Sequence, residues 1–414
     1  MKKVLGIVAV AAMAGALAGC AGGAESDEEV LTVWGWRNEA PWVELIEGFE
    51  GDGFTVEYKS YKPDEYNQIL QTGLSGSTGP DIVMLRSYGG LDTLVAGGGV
   101  AALEEDFEGL ANIPENLVDG LRSQSDGKVY GVPFQSVTAN VLYNKTLLDS
   151  LGLSEPTTWD EFIALNEALL AEDVTPMAAG ALESWILPIY RDLFGAAAYD
   201  GPAFAEELRA GSTTFEDERY AAANETLVDM TKYFPRGFEG INYADANALF
   251  IAGEAALYPG GIWELAVFKD AMPDVELGIF NAPPVTGDEP YAMGYLDGGI
   301  GMAANLEGEK RDNALEFLEW VGSEDFGQLI ADDLLAIPAV NGVTPADPLL
   351  AEAATAFEEH PTPYLTYVNF DFGTPSGTSL EYAGLQKMVI GESEPSQVGA
   401  EVQAGIQQWF KADK

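Results

Sequence analysis

Residues 66–85 read YNQILQTGLSGSTGPDIVML, and this stretch decides the fold class. Tyr66–Leu74 reads as a helix, Gly79-Pro80 as a turn, and Ile82–Leu85 as an unbroken apolar run suited to a strand buried on both faces. The same alternation continues outward. Upstream, Leu31–Trp36 reads as a strand, Trp42–Phe49 as a helix with Val43, Leu45, Ile46 and Phe49 apolar, and Phe54–Tyr58 as a second strand. Downstream, Val129–Phe134 and Asn140–Asn144 read as two strands joined by polar Gln135-Ser136. A helix follows from Trp159, with Thr158 and Glu161 as a capping box and Trp159, Phe162, Ile163, Leu169 and Leu170 on one face. Helical spacing returns at Ala314, Phe317, Leu318 and Val321, and a last helix is expected over Ser396–Ala412. Strands separated by helices predict α/β architecture with mainly parallel sheets flanked by helices. No internal repeat is present.

A chain of 414 residues is too long for one ordinary core and suits two lobes. Its 67 acidic against 20 basic residues give a formal charge of −47, which speaks against nucleic acid as a partner and disfavours an anionic ligand. The acidic excess reads as a solvated surface, for which life in high salt, where screening relieves self-repulsion, is one explanation.

Cys20 is the only cysteine, so disulfides cannot staple the fold. It follows two lysines, an apolar Ala-rich run from Val4 to Ala18, and Leu17-Ala18-Gly19. That order predicts an export signal over 1–19 and resembles the bacterial lipobox, whose cysteine is acylated. Residues 20–29 are then a small, acidic tether, and the only membrane attachment is the lipid on Cys20.

Catalytic motifs are sparse. His360 is the sole histidine, which argues against a His-based triad or a His-rich zinc site, and no phosphate loop or GxSxG elbow occurs. No metal or cofactor is expected. Aromatic residues stand out instead, at strand ends and Gly-rich turns: Trp36 to Glu39 after the first strand, Arg86-Ser87-Tyr88 after the buried one, Ser184-Trp185, and Gly260-Gly261-Ile262-Trp263. Ligands of open α/β sheets bind beyond the carboxyl ends of strands. Flat rings beside Asp, Glu, Asn, Gln and Arg suit a neutral polyhydroxy ligand. Of the alternating Trp34 and Trp36, Trp36 is taken to face the cleft, while Trp159, Trp320 and Trp409 are assigned to packing.

Five pieces in order carry a resemblance: LTVWGW; the opening stretch; DGKVYGVPF running on through VLYNKTLLDSLGL to PTTWDEF; LFIAGEAALYPGGIWEL; and ALEFLEWVGSEDFGQLIADDLLAIPAV. Behind a lipobox, the chain resembles the family 1 extracellular solute-binding proteins, carbohydrate-binding lipoproteins of ABC importers. The resemblance implies a two-lobe, periplasmic-binding-protein-like fold with a multi-strand hinge. Residues 30–136 and 298–340 would form the N-terminal lobe, and 137–297 and 341–414 the C-terminal lobe. Crossings are expected near Gln135–Thr138, Val285–Gly298 and Pro338–Val343. The implied ligand contacts are Trp36, Glu39, Arg86, Tyr88, Gln135, Trp185, Trp263, Asp297, Phe370 and Asp371. The implied role is capture of an oligosaccharide by hinge closure, without catalysis, by a monomer that delivers it to the permease subunits of an ABC importer outside the cytoplasm. Two alternatives stand beside it: a secreted glycoside-active enzyme, which needs two carboxylates across the cleft, and a receptor for a cationic or peptide ligand.

Overall fold

The computed structural model describes residues 29–62, 65–76 and 78–412. The export signal, Cys20 and nearly all of the tether lie outside them. Among the described residues, ten strands form one curled sheet: β1 (Glu29–Gly35), β2 (Phe54–Ser60), β3 (Ile82–Arg86), β4 (Val132–Asn144), β5 (Thr175–Met177), β6 (Ala255–Gly261), β7 (Leu277–Phe280), β8 (Ala292–Met302), β9 (Ile337–Pro338) and β10 (Pro361–Pro363). The order is β2-β1-β3-β8-β4-β6-β5, with β7 and β9 also on β4 and β10 on β8. β1 runs parallel to β2 and β3, as the strand–helix alternation predicts, and β5 is parallel to β6. The long strands differ: β8 is antiparallel to β3 and β4, and β4 is antiparallel to β6 and β7.

The apolar side chains gather in two bodies. One joins Leu31, Val33, Ile82–Leu85 and Phe134 to Ile300, Phe317 and Phe326, so the late helices return to the first strands. The other lies on both faces of the sheet beyond the middle of β4. Successive β4 residues alternate as strand geometry requires: Val141 and Tyr143 face Phe162, Phe194 and Leu257, while Leu142 faces Phe250, Tyr258 and Phe268. With thirteen residues, all buried, β4 extends roughly 40 Å, long enough to run through both bodies.

This corrects the expected break at Gln135-Ser136. Both are buried and strand-paired, Gln135 to Gly298 and Pro338, Ser136 to Leu296 and Ile337. Polarity here marks buried hydrogen bonding, not a turn: Thr138 donates to Asn140 Oδ1 (2.8 Å), whose amide donates to Asn281 (2.7 Å).

Local departures are small and have physical causes. Thr158 Oγ1 accepts the Glu161 N–H at 3.3 Å as a cap, but the Glu161 carboxylate turns to the Thr157 N–H (2.9 Å) and hydroxyl (2.8 Å) instead of closing the box. On that helix Leu170 is exposed. The last helix spans Pro395–Ile406 and stops short of Trp409, whose Nε1–H donates to the Pro375 carbonyl at 2.8 Å. In the second lobe a fully buried Arg191 meets Asp192 (2.5 Å) and Glu381 (2.8 Å), with Tyr199, Tyr220 and Thr366 completing the network. Burial pushes Asp192 up to about 6 against the pull of Arg191. The network fastens the helix Leu365–Phe370 to this lobe.

Candidate ligand-binding site

β1 ends at Gly35, and the next two residues begin a polar chain across the molecule. The Trp36 indole packs edge-on against Tyr66 (5.4 Å) and lies under the Arg86 guanidinium, 4.0 Å from the ring centre. Tyr66 holds this corner with its hydroxyl 2.8 Å from both the Trp34 and the Met84 carbonyls, which share its one proton. On the hinge side Gly298 leaves room for the indole, since a Cβ there would sit 3.1 Å from it. Arg37 pairs with Glu39 (3.6 Å), packs over Trp42 (4.9 Å) and donates to Gln135 Oε1 at 2.7 Å. Gln135 in turn donates to Asp297 Oδ2 at 2.9 Å. Glu39, Arg37, Gln135 and Asp297 thus link the end of β1 to the first third of β4 and the middle of β8. Burial raises the Asp297 carboxyl above its usual range, opposed by the positive charges of Arg37 and Arg86.

Tyr88 borders the same region. Its backbone is left-handed (φ 53°, ψ −127°), a costly conformation for a tyrosine. The N–H donates to the Gly120 carbonyl (2.7 Å) and the hydroxyl accepts the Leu296 N–H (3.2 Å). Its ring meets Tyr367 edge-on at 5.4 Å, and Tyr367, Tyr295 and Tyr364 lie 5.2–5.4 Å from one another. Burial and the Asp297 charge push the Tyr295 phenol well up. The tyrosines lead into the second lobe, where the Tyr364 hydroxyl donates to the Trp185 carbonyl (3.2 Å). Trp185 packs on Tyr243 at 5.0 Å, and Trp263 Nε1–H donates to the Tyr243 hydroxyl at 2.7 Å.

The segment after Tyr367 lies between the lobes. Phe370 is fully buried against Phe215 and Phe410 (both 5.1 Å) in the second core. Phe370, expected to contact a ligand, is thus placed in this core, where its ring anchors the segment. The neighbouring Asp371 backbone presses on Gly89 at the start of the helix Gly89–Ala96: a Cβ on Gly89 would sit 2.6 Å from the Asp371 carbonyl carbon and 3.1 Å from its Oδ2. Burial pushes the Asp371 carboxyl up to about 6.

The structure thus brings Trp36, Glu39, Arg86, Gln135 and Asp297 together, sets Tyr88 against Leu296 and Tyr367, and joins Trp185 and Trp263 in a second cluster through Tyr243. Asp371 stands apart at the lobe contact. Sequence reading pointed to the stretch holding Arg37 without giving it a role, and missed Tyr243, Tyr295, Tyr364 and Tyr367. Tyr295 was within reach, since it lies two residues before Asp297 on one strand and so shares its face. Among the described residues, no group of three or more His, Cys, Asp or Glu side chains is placed to hold a metal ion.

Residues 35–328 match the sequence family of bacterial extracellular solute-binding proteins. The chain is 29% identical over 240 residues to the multiple sugar-binding protein of Streptococcus mutans, covering 55% of this chain and 56% of that protein. It is 26% identical to the diacetylchitobiose binding protein DasA of Streptomyces coelicolor over 89% of this chain and 93% of that one. The solved structure of a chitin oligosaccharide binding protein superposes with a TM-score of 0.76 at 21% identity, covering 94% of this chain and 100% of that one.

Proposed function

The chain belongs to the bacterial extracellular solute-binding proteins, and from that premise we propose that it captures an oligosaccharide between its lobes and delivers it to the permease of an ABC importer. The observation that carries this reading is the chain Glu39–Arg37–Gln135–Asp297, laid across the strands that join the lobes and flanked by tyrosine and tryptophan rings. Polar groups with fixed partners suit sugar hydroxyls, and ring faces suit sugar C–H surfaces. Trp36, Glu39, Arg86, Tyr88, Gln135 and Asp297 form the first-lobe and hinge side of the site in this reading, and Trp185 and Trp263 the second-lobe side.

The lobes follow the division 30–136 with 298–340 and 137–297 with 341–414. A ligand that touches both lobes binds the closed form better than the open one, and so shifts the population toward closure. No bond is made or broken. The protein works as a monomer outside the cytoplasm, held to the membrane by lipid on Cys20. A thermal-shift screen with lactose, raffinose, maltotriose and N,N′-diacetylchitobiose tests the reading, because a ligand selective for the native state raises Tm. Tm should rise with at least one of them. No shift with any sugar, and none by calorimetry, would overturn carbohydrate capture.

A further inference from the structure

We propose that Tyr243 is a positioning residue for ligand capture, holding Trp185 and Trp263 as one fixed aromatic pair; this rests on the carbohydrate-receptor reading above. A phenol has one proton to donate and two lone pairs to accept with, and at Tyr243 all are occupied. The hydroxyl donates to Glu264 Oε1 (2.6 Å) and accepts from Trp263 Nε1–H (2.7 Å) and from the Tyr258 hydroxyl (3.0 Å). The face of the same ring packs against Trp185.

Both tryptophans come from short turns that could not fix an indole by themselves: Ser184–Ile186 and Ile262–Glu264 are single turns of 3-10 helix. Trp263 is held from beneath because its ring lies over Gly261, where any Cβ would fall inside the indole. Its only donor is engaged by Tyr243, so it offers a ligand a ring face and no hydrogen bond. Trp185 is held through the backbone. Ala181 and Leu182 donate to the carbonyls of Phe238 (2.9 Å) and Ile241 (3.1 Å), and the Tyr243 N–H donates to Glu183 Oε2 (2.9 Å). The loop bearing Trp185 is thereby laced to the start of the helix Tyr243–Ile251, and the Tyr243 side chain sets the angle between the two rings.

Tyr243→Phe keeps the ring and removes the hydroxyl. Against whichever sugar of the panel gives the largest thermal shift, Kd should rise about fivefold or more, the worth of one net hydrogen bond. Ligand-free tryptophan emission should shift as Trp263 Nε1–H loses its acceptor. Tyr258→Phe, which removes a hydroxyl from the same cluster but touches no tryptophan through it, should leave affinity within about twofold. In a Trp263→Phe background, Tyr243→Phe should add little, because its effect passes through the indole. Unchanged affinity in Tyr243→Phe, or an equal loss with and without the Trp263 indole, overturns the inference while leaving the receptor reading intact. A wild-type protein that binds none of the sugars overturns the receptor reading itself. Should Tyr243→Phe fail to fold, Trp263→Phe carries the test, since it deletes the oriented N–H; wild-type affinity there overturns the inference.

Discussion

Replacing Gly89 with alanine adds one methyl group at the contact between the lobes. Its carbon would overlap the Asp371 carbonyl oxygen outright and lie 2.6 Å from the carbonyl carbon, whereas ordinary contact begins near 3.4 Å, so the two segments must part by well over 1 Å. Gly89 opens a helix and its φ is not left-handed, so alanine brings no backbone strain and a slightly better helix former. On the reading that this contact forms when the lobes close, the cost falls on the closed arrangement. Overpacking of this kind costs about 1–3 kcal/mol, and affinity for the cognate sugar should drop by about 5- to 150-fold. Calorimetry of wild type and Gly89→Ala would measure that loss, with ligand-free Tm followed in parallel and expected to stay level or rise slightly. Small-angle scattering should show the sugar shrinking the wild-type radius of gyration more than that of the variant. Gly240→Ala is the control, because nothing lies within 4 Å of the added carbon. Wild-type affinity in Gly89→Ala, or a fall in Tm with affinity preserved, would refute the argument that this contact belongs to the closed, ligand-holding form.

Three further outcomes are expected. Cys20→Ala should release the protein from the membrane fraction or leave the precursor uncleaved, as fractionation and mass measurement would show. Trp185→Ala and Trp263→Ala should each weaken sugar binding about tenfold if a stacked ring contributes roughly 1–3 kcal/mol. Trp320→Ala, whose ring packs on Phe49, Phe317 and Phe326, should instead cost about 3 kcal/mol of folding stability by denaturant melting. Asp371 titrates at about 6 in the folded protein against an ordinary value of 3.8. The native state therefore binds more protons between those values, and this group's contribution to stability falls as pH rises from about 4 to about 6. Asp371→Asn should flatten that part of the Tm–pH curve, and an unaltered slope would count against the buried placement of this carboxyl.

The parts of the fold that could be read from sequence were those whose residues declare their surroundings singly. Ile82–Leu85 is apolar at every position, and a strand covered on both faces is the consequence. β4 could not be read as one strand, because Gln135 and Ser136 look like a break until the partners of Gln135, Arg37 and Asp297, are known. The same limit applied at the site. Phe370 and Asp371 are neighbours in sequence, and only packing against Phe215 decides which of them is turned inward. Tyr243 escaped notice because its importance comes from Trp185, Trp263 and Glu264, all distant in sequence.

The ladder between β4 and β8 is irregular at one place. Its register shifts between Pro133 and Gln135 and again between Gln135 and Ser136, and Pro133 has no N–H to donate. A strand otherwise bonded along its length resists twisting, so strain applied by moving lobes concentrates at such a fault. Gln135, the residue that grips both Arg37 and Asp297, sits on that weak point. On the proposed reading a ligand would therefore pull on the sheet where it yields most easily, and the molecule would act as a torsion spring whose stiffness is set within a few residues of its cargo.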